Sequence, residues 1–159
     1  MVEEPTGAPA TAFDEFAGTV GVRVRRALVA AYGVEIGTEA AAEAMAIAWE
    51  RWSAVQAMDN PAGYLYRVGQ TKARPHIRWA RRGGVFPLPP AGTALAEDVL
   101  DALDALRTLK PVERAAVLLT KSYGFSYREV AEVLGVSVDA VTNHVHRGLR
   151  HLRERLGHE

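Results

Sequence analysis

Thr142, Asn143, His144, His146, Arg147 and Arg150 put hydroxyl, amide, imidazole and guanidinium groups into nine consecutive residues that hold no carboxylate. An asparagine amide can make paired hydrogen bonds with adenine, and arginine can do the same with guanine or neutralise a phosphate. That chemistry is recognition of duplex nucleic acid, provided a rigid element presents the groups together. The apolar residues around them supply the element. Val138, Val141, Val145, Leu149, Leu152 and Leu156 recur at three- and four-residue spacing, which predicts a helix with one face on a core and the polar groups left on the others.

The preceding residues position that helix. Ser126-Tyr127-Arg128-Glu129 has the form of a capping box, with the serine hydroxyl accepting from the Glu129 amide and the glutamate reaching back to the Ser126 amide. Phe125 and Val130 stand at the staple positions, and Gly135 can take the left-handed conformation that ends a helix after Leu134. Ser137 then caps the second helix, with Val136 and Val141 as its staple. Residues 126–152 thus read as a helix-turn-helix, whose second helix would lie in a major groove. Asp139, in the first turn, suits the positive helix end and is read as support for the helix.

A second basic surface lies upstream. Six Lys or Arg residues (Arg67, Lys72, Arg74, Arg78, Arg81, Arg82) occur between positions 67 and 82 without an acid, so the balance of 19 basic and 19 acidic residues hides an uneven distribution. Arg74, Arg78, Trp79 and Arg81 are the candidate DNA contacts there, with Trp79 placed equally for stacking on bases and for packing. Trp49 and Trp52, among Met45 and Ala48, are expected in the core, as is one of Tyr64 and Tyr66.

Other chemistries find no support. The chain has no cysteine, which excludes disulfides and thiolate metal sites. His144 and His151 lack carboxylate or thiolate company, so no metal or cofactor is expected. No phosphate loop, HExxH or nucleophile elbow occurs, and an enzyme is not expected. No run of 18 apolar residues and no signal-peptide pattern is present, so a cytoplasmic protein without membrane insertion is expected.

The organisation reads as all-α, in two small helical domains joined by a flexible Pro/Gly linker. Residues 1–11 are expected to be disordered. Within 12–82, a stripe from Phe13 to Ala31 closes near Gly33, Thr38 can cap a second helix through Trp52, and Asn60-Pro61 starts a third that Pro75 should kink or break. Residues 83–96 hold three prolines and three glycines and form the linker. Residues 97–159 carry two further helices and then the helix-turn-helix, and the two halves are expected to be separate folding units rather than one packed core.

Leu109-Lys110-Pro111-Val112-Glu113-Arg114 followed by Tyr123 to Ser137 is similar to the fourth conserved region of the extracytoplasmic function (group IV) sigma factors of bacterial RNA polymerase. Ala48-Trp49-Glu50-Arg51-Trp52 and Asn60-Pro61-Ala62-Gly63-Tyr64-Leu65-Tyr66-Arg67-Val68 resemble their second region. The resemblance implies a transcription initiation factor that reads the minus-thirty-five element with the second half and opens the minus-ten element with the first. It implies RNA polymerase core, promoter DNA and an anti-sigma factor as partners. Carried onto matching positions, it assigns DNA contacts to Ser137, Thr142, Asn143, His144, His146, Arg147 and Arg150 and polymerase contacts to Glu39, Glu43, Trp49 and Arg51. The chain departs from the pattern at Thr71, Pro75, Thr142 and His144, and keeps only two carboxylates over residues 37–43. Two alternatives compete with this reading: a sigma-shaped interaction module or sensor without promoter activity, and a helix-turn-helix regulator of the response-regulator type.

Overall fold

The computed structural model describes residues 8–81 and 97–157, and among these every regular element is helical. The first stripe forms α1 (Ala8–Phe16), a π-helical turn (Ala17–Gly21) and α2 (Val22–Tyr32). Residues 8–11, expected to be disordered, are the first turn of α1. Gly33, with φ 92°, reverses the chain in a single residue, so α3 (Val34–Glu50) begins four residues before the expected Thr38 cap. The two helices then cross closely. A Cβ at Gly37 would stand 2.5 Å from the Val29 backbone, so only glycine allows this approach.

Arg51 leaves helical geometry and α4 (Trp52–Gln56) follows as a short turn. Asn60 caps α5 (Pro61–Arg81) by accepting from the Gly63 amide at 3.0 Å. The expected break at Pro75 does not occur: α5 runs straight through it as helix. One backbone hydrogen bond is lost, but Ala73 is buried and Ile77 packs on the core on either side, and that packing holds the helix together.

The second half contains α6 (Glu97–Arg107), α7 (Pro111–Lys121), α8 (Tyr127–Leu134) and α9 (Val138–Leu156). The Ser126 hydroxyl accepts from the Glu129 amide at 3.1 Å, as the capping box requires. The reciprocal bond differs: the Glu129 carboxylate accepts from the Ser126 hydroxyl at 3.1 Å and faces Arg23 at 3.6 Å. Gly135 is left-handed (φ 66°, ψ 36°), its amide and that of Val136 donating to Glu132 and Ala131 in a Schellman arrangement. Replacing Ser126 with alanine is expected to cost about 1 kcal/mol, or about 2–4 °C in Tm, which thermal unfolding followed by circular dichroism checks.

The two halves pack on one another. Leu28, Leu65 and Tyr66 of the first half belong to the same buried cluster as Leu119, Val130 and Val141 of the second, with α2 against α7 and α5 against α8. The expectation of two unshared cores is therefore corrected. Apolar residues on α2 and α5 that periodicity assigned to a local core have their partners in the other half. Polar bonds bridge the same seam. Asn60 Nδ2 donates to the Glu132 carbonyl at 2.8 Å, and the Arg26 guanidinium lies 5.5 Å from the Tyr123 ring centre. The linker 83–96 lies outside the described residues, as do residues 1–7.

Candidate nucleic-acid interface

α9 is set by its two ends. Ser137 caps it through a 3.1 Å bond from the Ala140 amide, and Gly157, also left-handed, closes it with Arg153 and Arg155 in the last turn. Val141, Val145 and Gly148 are buried. Gly148 lets α9 lie against α7, since a Cβ there would meet the Val117 side chain at 2.6 Å. The expected stripe is shorter than its periodicity: Val138 and Leu156 are exposed, because they lie at the two ends of α9 beyond the packed middle of the helix.

The polar residues divide by what they can still offer. Asn143, His146, Arg147 and Arg150 are exposed and fan over the face away from Val141 and Val145. Ser137 is exposed, with its hydroxyl engaged in the cap. Thr142 is half-buried and its hydroxyl donates to the Val138 carbonyl at 3.1 Å, which leaves only acceptor capacity for a ligand. His144 is half-buried with a buried, unbonded Nδ1, so a base contact from it has to come from Nε2. His151 turns the other way, its Nε2 3.0 Å from the Thr108 hydroxyl. Arg147, Arg150 and His151 also line a cleft against Lys110 at the start of α7. Amide and guanidinium groups on one rigid, capped helix form a surface that can read base edges and neutralise phosphates together.

On the first half, Arg74 and Arg78 are exposed on α5; the side chains of Trp79 and Arg81, on its last turn, lie outside the described part. Glu39 and Glu43 sit one turn apart on α3, with Trp49 and Arg51 at its end. Trp49, expected in the core, is 50% exposed. It is the outer member of an aromatic group in which Phe13 meets Trp49 at 5.0 Å and Trp52 at 5.3 Å, while Trp52, half-buried, takes the inner place. The two tyrosines divide as expected: Tyr66 is buried and Tyr64 partly so.

One residue has a role that no pattern announced. Arg114 of α7 is buried, and its guanidinium donates to the carbonyls of Ala30 (3.2 Å) and Ala31 at the end of α2, and to those of Leu106 and Arg107 (both 3.4 Å) at the end of α6. These are the carbonyls that helix ends leave without intrahelical partners, at the negative pole of each helix. A single cation therefore caps two helices from opposite halves. Burial pulls its pKa below the ordinary arginine value, opposed by the nearby Tyr32 and Tyr66.

Residues 100–152 match the family model described as Sigma-70, region 4. The chain is 46% identical over 55 residues to the RNA polymerase sigma factor CarQ of Myxococcus xanthus, covering 35% of this chain and 32% of that protein. It is 43% identical over 56 residues to the ECF RNA polymerase sigma factor SigE of Mycolicibacterium smegmatis, covering 35% and 22%. To the RNA polymerase sigma-E factor of Streptomyces antibioticus it is 30% identical over 120 residues, covering 71% and 66%. The matched stretches thus span less than two thirds of each of these relatives. In fold it resembles the sigma factor RpoE solved with the anti-sigma factor NepR from Bartonella quintana (TM-score 0.62, 20% identity, 92% of this chain and 98% of that one). It also resembles CnrH solved with the cytosolic domain of CnrY (TM-score 0.60, 24% identity, 93% and 89%).

Proposed function

We infer that this chain, which belongs to the extracytoplasmic function sigma factors, directs RNA polymerase core to promoters, using α9 to read the minus-thirty-five element and α5 to engage the minus-ten element. The observation that carries the reading is α9 itself. It is capped at both ends, packed on one side, and exposes Asn143, His146, Arg147 and Arg150 on the other, inside the stretch that matches region 4. On this reading the protein is a cytoplasmic transcription factor rather than an enzyme. Among the described residues no helix is long and apolar enough to cross a membrane.

Polymerase docking falls to Glu39, Glu43, Trp49 and Arg51, along α3 and at its C-terminal end, where Glu39, Trp49 and Arg51 are exposed. An anti-sigma factor is the inferred regulator. The packed arrangement of the halves has a geometric consequence for both partners. A compact chain of this size is about 40 Å across, whereas promoter elements about 25 base pairs apart are separated by about 85 Å of duplex. Both elements cannot be contacted until the seam between α2 and α7 opens.

Fluorescence anisotropy of the full-length chain on a promoter duplex tests the DNA reading. The full chain is needed because the second half shares its core with the first. Arg147, Arg150, Arg153 and Arg155 are all exposed, and two to four phosphate contacts from them predict a loss of affinity of roughly ten- to a hundredfold between 50 and 200 mM salt. A flat salt response would remove the basis for the reading.

A further inference from the structure

Glu39 and Glu43 lie one turn apart on α3, and α5 crosses α3 so that His76 joins them. One donor atom from each of the three lies within 4.8 Å of the others. Two carboxylates alone would be an ordinary solvated pair. What sets this group apart is the imidazole brought in by a second helix, together with the pairing around it. Lys72, one turn before His76, reaches Glu43 only at 3.9 Å, and among the described residues Glu39 and His76 have no hydrogen bond or ion pair. Such a long, exposed ion pair is worth little, so it is a weak competitor for Glu43.

We propose that Glu39, Glu43 and His76 bind a divalent transition-metal ion of the zinc class, clamping α3 to α5. Three protein ligands of this kind leave room for a water in a four-coordinate shell, with metal–ligand distances of about 2.0–2.2 Å. The donors must close by about 1–1.5 Å to reach that geometry, a movement within the rotamer freedom of the exposed Glu39 side chain. One nitrogen with two oxygens favours zinc and its neighbours, whereas magnesium and calcium prefer shells of oxygen alone. Periodicity could not reveal the group, since 33 positions separate Glu43 from His76. The inference does not depend on promoter binding, and it is read on the chain alone.

Isothermal titration of the full chain with zinc, in a buffer that does not bind the metal, tests it. The wild type should saturate with a single class of site that millimolar magnesium does not displace. His76→Ala and Glu43→Gln should each weaken binding by about tenfold or more, since each removes one of three ligands. Circular dichroism establishes that the variants are folded, and Glu39→Gln, at an exposed position, supplies a ligand deletion that leaves the packing intact. Lys72→Met should tighten binding by about threefold by removing the competing ammonium. No saturable site in the wild type, or equal affinity in the wild type and His76→Ala, would overturn the assignment. Because neither polymerase nor DNA enters the assay, that failure would leave the promoter reading untouched.

Discussion

Arg114→Ala is expected to destabilise the protein by about 2–4 kcal/mol, because hydrogen bonds to a charged group are each worth about 1.5–3 kcal/mol and carbonyls at two helix ends lose a shared donor together. Two effects oppose one another here. Desolvation of the guanidinium costs free energy, which is the direction its lowered pKa records. Against it stand carbonyls of Ala30, Ala31, Leu106 and Arg107, all at helix C-termini where a cation is favoured. In a chain of this size the loss corresponds to a fall in Tm of about 4–16 °C. Arg114→Lys should recover less than half, since one ammonium cannot span carbonyls on two helices as a planar fork does. The measurement is thermal unfolding by circular dichroism, joined to small-angle scattering. The radius of gyration should rise above the roughly 15 Å of the packed form as α2 and α7 separate. A fall in Tm below about 2 °C, with unchanged dimensions, would mean that desolvation cancels the bonds and that the seam is held by its apolar contacts alone.

Asn143→Ala and Arg150→Ala should separate specificity from affinity. Asn143 is exposed on α9 opposite the buried Val141 and Val145, and its amide is the group there best suited to paired bonds with an adenine edge. Its loss is expected to cost on the order of 1–3 kcal/mol at the cognate promoter, about five- to 150-fold in Kd, with binding to random duplex nearly unchanged. Arg150→Ala should weaken all sequences together and make the salt dependence shallower by about one unit of slope. Competition anisotropy with cognate and random duplexes gives the comparison, and promoter-dependent transcription with reconstituted polymerase gives the functional counterpart. Equal losses on both duplexes for both variants would reduce Asn143 to a surface residue. Full transcription by both variants would remove both residues from promoter recognition, whereas no promoter-dependent transcription with the unaltered chain would favour the interaction-module reading over a promoter factor.

Much of the second half was legible from its residues because its determinants are local. Ser126, Gly135 and Ser137 act on amides and carbonyls within a few positions of themselves, so the caps, the turn and the start of α9 follow from short spacing alone. The outward face of α9 was legible for the same reason: period 3.6 places Asn143 opposite Val141 and Val145 wherever the helix is docked. Where spacing misled, a partner from elsewhere in the chain was deciding. Thr38 looks like a cap, but Gly33 and the close approach of Gly37 to Val29 start α3 earlier. Glu129 completes a capping box in the sequence, yet Arg23 from the other half stands beside its carboxylate. Trp49 and Trp52 look alike in the sequence, and Phe13 meets both; it is the further contact of Trp52 with Phe16, at 5.1 Å, that goes with its inner place. Sequence by itself determined most of the helices, their caps and the chemistry of the outward face of α9, because each is settled within one or two helical turns. Tertiary structure alone decided that the halves share a core, that Arg114 caps a helix in each half, and that His76 meets Glu39 and Glu43. The contacts between the halves, and that of His76 with Glu39 and Glu43, join positions more than 30 residues apart, and no local periodicity encodes which apolar face or which helix-end carbonyl a distant side chain will find.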